Sequence, residues 1–171
     1  MSPQQRGEYV LDADVLIQAH RMYYAFDICS GFWDALVLHQ ANATVMSIDK
    51  ILEDIDRGEG VDDLKRWVRT GIPGTFFHTT NDLQVITRYR EIVNWVNAQP
   101  FTQPAKAEFM TVSDGWLVAY AKTKNKIVVT QEILEPGIRK RIKIPNVCGA
   151  FGVQYRNTYD LLRALGVNLK V

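Results

Sequence analysis

The sequence has few cysteines and no long apolar run, and each absence excludes a class of protein. Cys29 and Cys148 are far apart and form no Cys-x-x-Cys pair, which argues against a zinc ribbon and against a disulfide-stabilised scaffold. No run of about 18 uninterrupted apolar residues occurs, so no membrane-spanning helix is expected. Residues 1–7 are polar and lack the apolar segment of a signal peptide, so we expect a cytoplasmic protein.

What the sequence does contain is enough apolar material for one substantial core. The chain has 171 residues, of which 47% are hydrophobic and 11% aromatic. This length fits one domain better than two. We therefore predict a single domain over residues 1–171.

The net charge is only +1, but the charges are distributed unevenly. Residues 1–63 contain 12 acids and 4 bases, a balance of −8, whereas residues 64–171 contain 7 acids and 16 bases, a balance of +9. One part could supply metal ligands and the other cations for phosphates, although solvated surfaces give the same pattern. The densest basic cluster is the candidate for nucleic-acid contact: Arg139, Lys140, Arg141 and Lys143.

Short β-branched runs alternate with longer segments of helical periodicity, which is typical of βαβ units on a parallel sheet. The pattern predicts strands over residues 8–11, 43–46, 126–130 and 150–154. It predicts helices over residues 14–21, 30–41, 47–57, 61–70, 81–98, 113–123 and 157–165. Ser47, Ser113 and Asn157 are predicted helix N-caps, and the proline-containing segment 99–112 is predicted to be a loop.

Four acidic residues stand out by their positions in this pattern. Asp12 ends the first predicted strand, Asp54 lies within an amphipathic helix, Asp114 opens a helix, and Glu132 follows the β-branched run 127–130. In open α/β sheets ligands bind in the crevice outside the carboxyl ends of the strands. The set therefore predicts a carboxylate site for a hard divalent metal.

Phosphodiester hydrolysis is a reaction that such a site could support. Mg²⁺ takes oxygen ligands and keeps several waters, so a few carboxylates suffice to hold it. Two such ions about 3.5–4 Å apart can activate a water and stabilise the leaving oxygen. Carboxylates held close together repel one another and raise a pKa unless a cation is present. No protein nucleophile is required.

Each acid also has a simpler interpretation. Asp14 could be only the N-cap of the first helix, and Asp114 only a first-turn acid favoured by the helix dipole. Glu53 and Asp54 could be solvent-facing charges, and Glu132 an ordinary loop residue. The combination of the four positions, rather than any one of them, favours a metal site.

The order of these motifs resembles the PIN-domain nucleases over most of the chain. The resemblance is carried by Val10–Ile17 with its Asp-Ala-Asp, by an acid before Ile55, by Asp114 on a helix and by Val128–Glu132. It is closest to a prokaryotic PIN-like branch of unknown function. Three segments are similar to that branch and more specific than the acids: residues 17–24, 26–29 and 140–148.

The resemblance implies a three-layer α/β/α sandwich with a central, mainly parallel sheet. It also implies Mg²⁺ or Mn²⁺ bound by the acids and single-stranded RNA as substrate. Asp12 and Asp114 match the family's strand-end and helix-start acids. Asp54 stands where the family usually has Glu, so the adjacent Glu53 is a candidate to compensate.

Further departures concern the residues around these acids. Thr130-Gln131-Glu132 replaces the family's Thr-x-Asp, which makes Glu132 the candidate fourth ligand and Thr130 a candidate hydrogen-bonding partner of a ligand or metal water. Asp14 matches a site usually held by Ser or Asn, and is either a ligand or a supporting group. Many PIN nucleases are toxins restrained by an antitoxin, and dimers are common among them. The resemblance therefore implies an antitoxin partner and a homodimer.

Two alternatives remain open. Residues 12–16 also resemble the first motif of haloacid-dehalogenase-type phosphohydrolases, in which Asp12 would be a nucleophile, with Thr130 and Lys140 as the later motifs. The paired acids of their fourth motif are missing, because only Asp160 lies downstream. The other alternative is a PIN-like module that binds RNA or a protein without cleaving, which the departures at Asp54 and Glu132 allow.

Overall fold

Five short parallel strands form the centre of the fold in the computed structural model, which describes residues 7–170. Every pairing between neighbouring strands is parallel, and the strand order is β3-β2-β1-β4-β5. The strands are β1 (Tyr9–Leu11), β2 (Val45–Ile48), β3 (Phe77–His78), β4 (Ile127–Val129) and β5 (Tyr155–Arg156).

Helices connect successive strands, as parallel pairing requires. Within residues 7–170 they are α1 (Ala13–Gln18), α2 (Ser30–Ala41), α3 (Asp49–Arg57), α4 (Asp62–Thr70), α5 (Leu83–Ala98), α6 (Gln103–Phe109), α7 (Asp114–Lys124), α8 (Ile144–Phe151) and α9 (Thr158–Ala164). A π-helical turn (Ala19–Tyr23) continues α1, and a 3₁₀ turn (Gly74–Phe76) precedes β3. None of the helices in this part of the chain is long and apolar enough to cross a membrane.

The sheet is covered on both faces, which makes the fold a three-layer α/β/α sandwich. Every residue of β1 and of β2 is buried. Because successive side chains in a strand point to opposite faces, unbroken burial means that helices pack against both sides. The predicted fold class, a sandwich around a parallel sheet, is therefore confirmed.

Several predicted elements are confirmed and others are corrected. The strands predicted at 8–11 and 126–130 and the helix at 30–41 are present, and the Asn157 side chain accepts a hydrogen bond from the Asp160 N–H, 2.8 Å, as a cap. The strand predicted at 150–154 is wrong. The chain there completes α8, and β5 begins only at Tyr155.

The other corrections concern short or amphipathic segments. Segment 99–112 is not a loop throughout, since Thr102 caps α6, with Pro104 in its first turn. The Ser47 N-cap is also wrong, because Ser47 lies in β2 and its hydroxyl donates to the Leu11 carbonyl, 2.8 Å. The two-residue β3 was not predicted. The polar segment 1–6 lies outside the described residues.

Candidate active site

The sheet places a cleft at the point where its strand order reverses. From β1 the chain proceeds outward through β2 to β3, and then returns to β4 on the other side of β1. At such a switch point the connections leave β1 and β4 in opposite directions, which opens a crevice at their carboxyl ends. Asp12 directly follows β1, and Thr130 directly follows β4.

The cleft has a volume of about 230 Å³ and its wall is unusually acidic. Four apolar residues and two alanines line it, but its charged groups are the feature that matters for chemistry. Five candidate acids from the sequence line this cleft: Asp12, Asp14, Asp54, Asp114 and Glu132. Glu108 and Arg141 line it as well.

Asp12 is held at the centre of the sheet. Its backbone N–H donates to the Val129 carbonyl, 2.9 Å, which continues the β1–β4 pairing by one residue. The residue is only 4% exposed, and its side chain accepts a hydrogen bond from the Thr130 hydroxyl, 3.2 Å. Burial, followed by the charges of Asp114, Asp14 and Glu132, holds the pKa of Asp12 well above its usual range, against the opposing effect of the Thr130 hydrogen bond.

Asp114 begins α7 and faces the same cleft. Gly115 allows this helix to approach its neighbours, since a Cβ there would come within 2.9 Å of Tyr89 and 3.0 Å of Phe109. Burial, then repulsion from Glu132 and the nearby aspartates, raises the pKa of Asp114 to about 7, although Arg141 acts in the opposite direction. Two acids with raised pKa values in one cleft are typical of functional sites.

Asp54 reaches the site from α3. It accepts a hydrogen bond from the Ser113 backbone N–H, 3.2 Å, and forms an ion pair with Arg57. Asp54 therefore ties α3 to the start of α7, beside Asp114. The Ser113 hydroxyl is buried and has no hydrogen-bond partner within residues 7–170, although such groups are usually satisfied.

Glu132 already has partners for both carboxylate oxygens. Oε1 accepts from the Arg141 guanidinium, 2.9 Å, and Oε2 accepts from the Ile144 backbone N–H at the start of α8, 2.7 Å. Its own N–H donates to the Thr130 hydroxyl, 3.1 Å. Thr130 thus joins Asp12 and Glu132 through one side chain.

Other predicted site residues lie elsewhere. Glu53 is exposed, pairs with Lys50 and does not line the cleft. Asp14 lies in the first turn of α1 and lines the cleft, while the N-cap position is occupied by Asp12. Of the basic cluster, only Arg141 lines the cleft, whereas Arg139, Lys140 and Lys143 do not.

Some cleft residues were not predicted as site residues from the sequence. Glu108 lies on α6, in the segment predicted to be a loop. Ser113 was predicted only as a cap, yet its hydroxyl makes no cap hydrogen bond. A serine directly before a candidate acid at a helix start is the signal that could have placed it at the site.

The donors in the cleft suit a hard divalent cation. They are carboxylates that repel one another, and a bound cation would offset this repulsion. The buried Ser113 hydroxyl beside them has no partner within residues 7–170 and could bond to the cation or to its water. No group of three or more His, Cys, Asp or Glu side chains in residues 7–170 is already arranged to hold a metal. Mg²⁺ does not need such a cage, since one or two carboxylates with waters and substrate phosphates are its usual protein ligands.

Comparisons with known proteins agree with this fold. One solved structure, VapBC2 from Rickettsia felis bound to a DNA fragment from their promoter, contains a similar chain with a TM-score of 0.52 and 13% identity, covering 87% of this chain and 97% of that one. FitAcB from Neisseria gonorrhoeae contains another, with a TM-score of 0.53 and 16% identity, covering 88% of this chain and 98% of that one.

Sequence comparison identifies the family. No curated protein matches the chain significantly. The family described as "Domain of unknown function (DUF4411)" matches residues 9–169. The resemblance to a PIN-like branch of unknown function is confirmed. The chain belongs to the DUF4411 family and has a PIN-type α/β fold.

Proposed function

We propose that the protein is a metal-dependent endoribonuclease that hydrolyses phosphodiester bonds of single-stranded RNA. One observation carries this proposal: Asp12 and Asp114, from distant parts of the chain, meet in a cleft at the switch point of the sheet. Burial, together with repulsion among the carboxylates of the cleft, raises the pKa values of both acids. A site that keeps this repulsion is suited to a cation.

Asp12, Asp114 and Asp54 are the residues that would hold Mg²⁺ or Mn²⁺, with Asp14 beside them. When bound, the ion would lower the pKa of water and offset charge on the phosphate. Asp12 is fixed by the Thr130 hydroxyl, and Asp54 by the Ser113 N–H. These contacts limit the rotation of the carboxylates, so their oxygens remain directed at the cleft. Exposed Glu53 has no part in this proposal.

The partners follow from the same comparisons. We propose an antitoxin protein as a partner, because the similar chains come from the VapBC2 and FitAcB assemblies. A homodimer, a cytoplasmic location and a single domain over residues 1–171 remain part of the proposal. Binding of a second protein over the acidic cleft would block access of RNA to it.

The test is hydrolysis of labelled single-stranded RNAs of varied sequence by purified protein with Mg²⁺ or Mn²⁺. Wild type should cleave, and Asp12→Asn and Asp114→Asn should each reduce the rate by about 100-fold or more, as expected for loss of a group that binds the catalytic ion. Glu59→Gln, which neutralises an exposed acid outside the cleft, is the matched control. Absence of metal-dependent cleavage by folded wild type would refute the enzyme and favour a binding module.

A phosphomonoester substrate tests the haloacid-dehalogenase alternative in the same assay. That mechanism needs Asp12 as nucleophile and Lys140 close to it. Lys140 is exposed and does not line the cleft, and Asp160 pairs with Arg163 on α9. We therefore expect no turnover of the phosphomonoester.

A further inference from the structure

Arg141 is the one basic residue among those that line the acidic cleft in residues 7–170. It lies near the end of the irregular segment 130–143 between β4 and α8. Its guanidinium is close enough to Asp114 to oppose the rise in the pKa of that acid. Arg141 therefore places a positive charge in the same cleft as the carboxylates that are proposed to hold the metal ion.

Glu132 fixes the position of this guanidinium. Its Oε1 accepts from Arg141, while its Oε2 is anchored by the backbone N–H of Ile144 at the start of α8. The Glu132 side chain is only 10% exposed, whereas that of Arg141 is 56% exposed. The acid is thus the rigid, buried member of the pair, and the arginine is the accessible member.

The other members of the basic cluster do not line the cleft. Lys143 pairs with Glu135, 2.9 Å, and donates to the Ile133 carbonyl. Arg139 accepts a hydrogen bond at its carbonyl from the Thr102 N–H, which attaches the segment to the start of α6. Neither Arg139 nor Lys140 lines the cleft.

We propose that Arg141 binds a phosphate of the nucleic-acid substrate inside the cleft, and that Glu132 is the positioning residue for Arg141 rather than a metal ligand. This inference rests on the proposed function and assigns the phosphate contact within that site. It also reassigns Glu132 to the support of Arg141, because one of its carboxylate oxygens accepts from the guanidinium while the other is anchored by the Ile144 backbone N–H.

The geometry of arginine makes this assignment physically reasonable. A guanidinium has five N–H donors in a planar fork, and the hydrogen bond to Glu132 uses only one of its nitrogens. The exposed remainder can donate two parallel hydrogen bonds to phosphate oxygens. In an acidic cleft it also offsets repulsion between the substrate and the carboxylates, and salt screens this effect less at short range.

The experiment compares Arg141→Gln with Arg139→Gln, which removes a matched charge two residues away. Both are made in the Asp114→Asn background, so that RNA binding is measured by fluorescence anisotropy without cleavage. Arg141→Gln should weaken binding of single-stranded RNA about 10-fold to 100-fold, the range expected for charge-assisted hydrogen bonds to a phosphate. Arg139→Gln should weaken it by less than about 3-fold. Arg141→Lys, which keeps the charge but loses the fork, should recover part of the affinity.

Replacing one phosphate of the RNA by a neutral methylphosphonate identifies which phosphate Arg141 contacts. RNAs that carry a single methylphosphonate, moved along the strand, should show one position at which Arg141→Gln no longer has an effect, because the charge that it binds has been removed. Arg139→Gln should bind each of these methylphosphonate RNAs with the same affinity as the parent protein. If Arg141→Gln stays well folded and binds all-phosphate RNA as tightly as its parent, the inference is wrong.

The role of Glu132 is tested separately, by measuring metal affinity. Mn²⁺ affinity by calorimetry should change less than about 3-fold in Glu132→Gln and Arg141→Gln, and more than about 10-fold in Asp12→Asn. Loss of Mn²⁺ binding in Glu132→Gln would make it a ligand and overturn its positioning role. If wild type cleaves RNA and Arg141→Gln matches it, only this inference fails. If wild type neither binds nor cleaves RNA with metal, the proposed function fails as well.

Discussion

The metal-free protein should lose stability as the pH rises from about 4 to about 7, and Asp114→Asn should prevent part of that loss. Asp114 has an ordinary pKa of 3.8 and a pKa of about 7 in the folded protein. Between these values the folded state retains a proton that the unfolded state has released. Unfolding therefore becomes more favourable as the pH rises, and the full penalty applies above about 7.

The size of the effect follows from the same two values. A difference of about 3 pKa units corresponds to at most about 4 kcal/mol in the free energy of unfolding. The Asp114 side chain is partly exposed, and an asparagine amide still has a desolvation cost. We therefore expect Asp114→Asn to be more stable than wild type at pH 8 by about 1–2 kcal/mol, or about 2–8 °C in Tm.

Thermal melts in chelator at pH 4.5, 6 and 8 measure this directly. The advantage of Asp114→Asn should be smallest at pH 4.5 and largest at pH 8, whereas Glu59→Gln, at an exposed site outside the cleft, should show no such trend. Mg²⁺ at pH 8 should raise the Tm of wild type more than that of Asp114→Asn, because binding to the folded state stabilises it. A variant that is less stable than wild type at pH 8, or an advantage independent of pH, would refute the reasoning.

Further substitutions test the hydrogen bonds and acids that form the cleft. Thr130→Val removes the hydroxyl that donates to Asp12 and should reduce RNA cleavage about 10-fold, with urea denaturation showing a loss of about 1–2 kcal/mol; unchanged cleavage would contradict the positioning role. Ser47→Ala removes a buried hydrogen bond between β2 and β1 and should cost about 1–2 kcal/mol without affecting Mn²⁺ affinity in calorimetry. Asp54→Asn should weaken Mn²⁺ binding in the same assay, whereas Glu53→Gln should not; the reverse result would place Glu53 at the site.

The parts of the fold that the sequence predicts well have strong local signals. β1 and β4 are runs of β-branched and other apolar residues buried on both faces, and α2 has boundaries at 30–41 as expected. Asp12 directly follows β1 and Asp114 begins α7, so both acids adjoin elements that the pattern predicts. Their distance along the chain gives no information on contact, but the parallel α/β arrangement does. The helix before a parallel strand runs back across the sheet, so it begins at the edge where the strands end.

The parts that the sequence predicts poorly depend on tertiary contacts. Two-residue β3 has no periodicity of its own and is recognisable only by its pairing with Ser47 and Ile48. Helix α6 lies in a segment with two prolines that is typical of a loop. Thr102 nevertheless caps the helix, and its own residues Ala105 and Phe109 are buried. The resemblance favours Asp54 over the adjacent Glu53, but leaves Glu53 a candidate to compensate. The packing of α3 against α7 places Asp54 in the cleft and leaves Glu53 outside it.

The pairing of Glu132 with Arg141 changes how the departure from the family's Thr-x-Asp is understood. The longer glutamate side chain reaches the Ile144 N–H at the start of α8, where a carboxylate is favoured by the helix dipole, and still accepts from Arg141. The site therefore has a structural reason for Glu that metal binding alone would not give. Glu132→Asp should then shorten the reach to Ile144 and release Arg141, so it should weaken RNA binding while leaving Mn²⁺ affinity nearly unchanged. A fourth metal ligand would show the opposite pattern, with loss of metal affinity first.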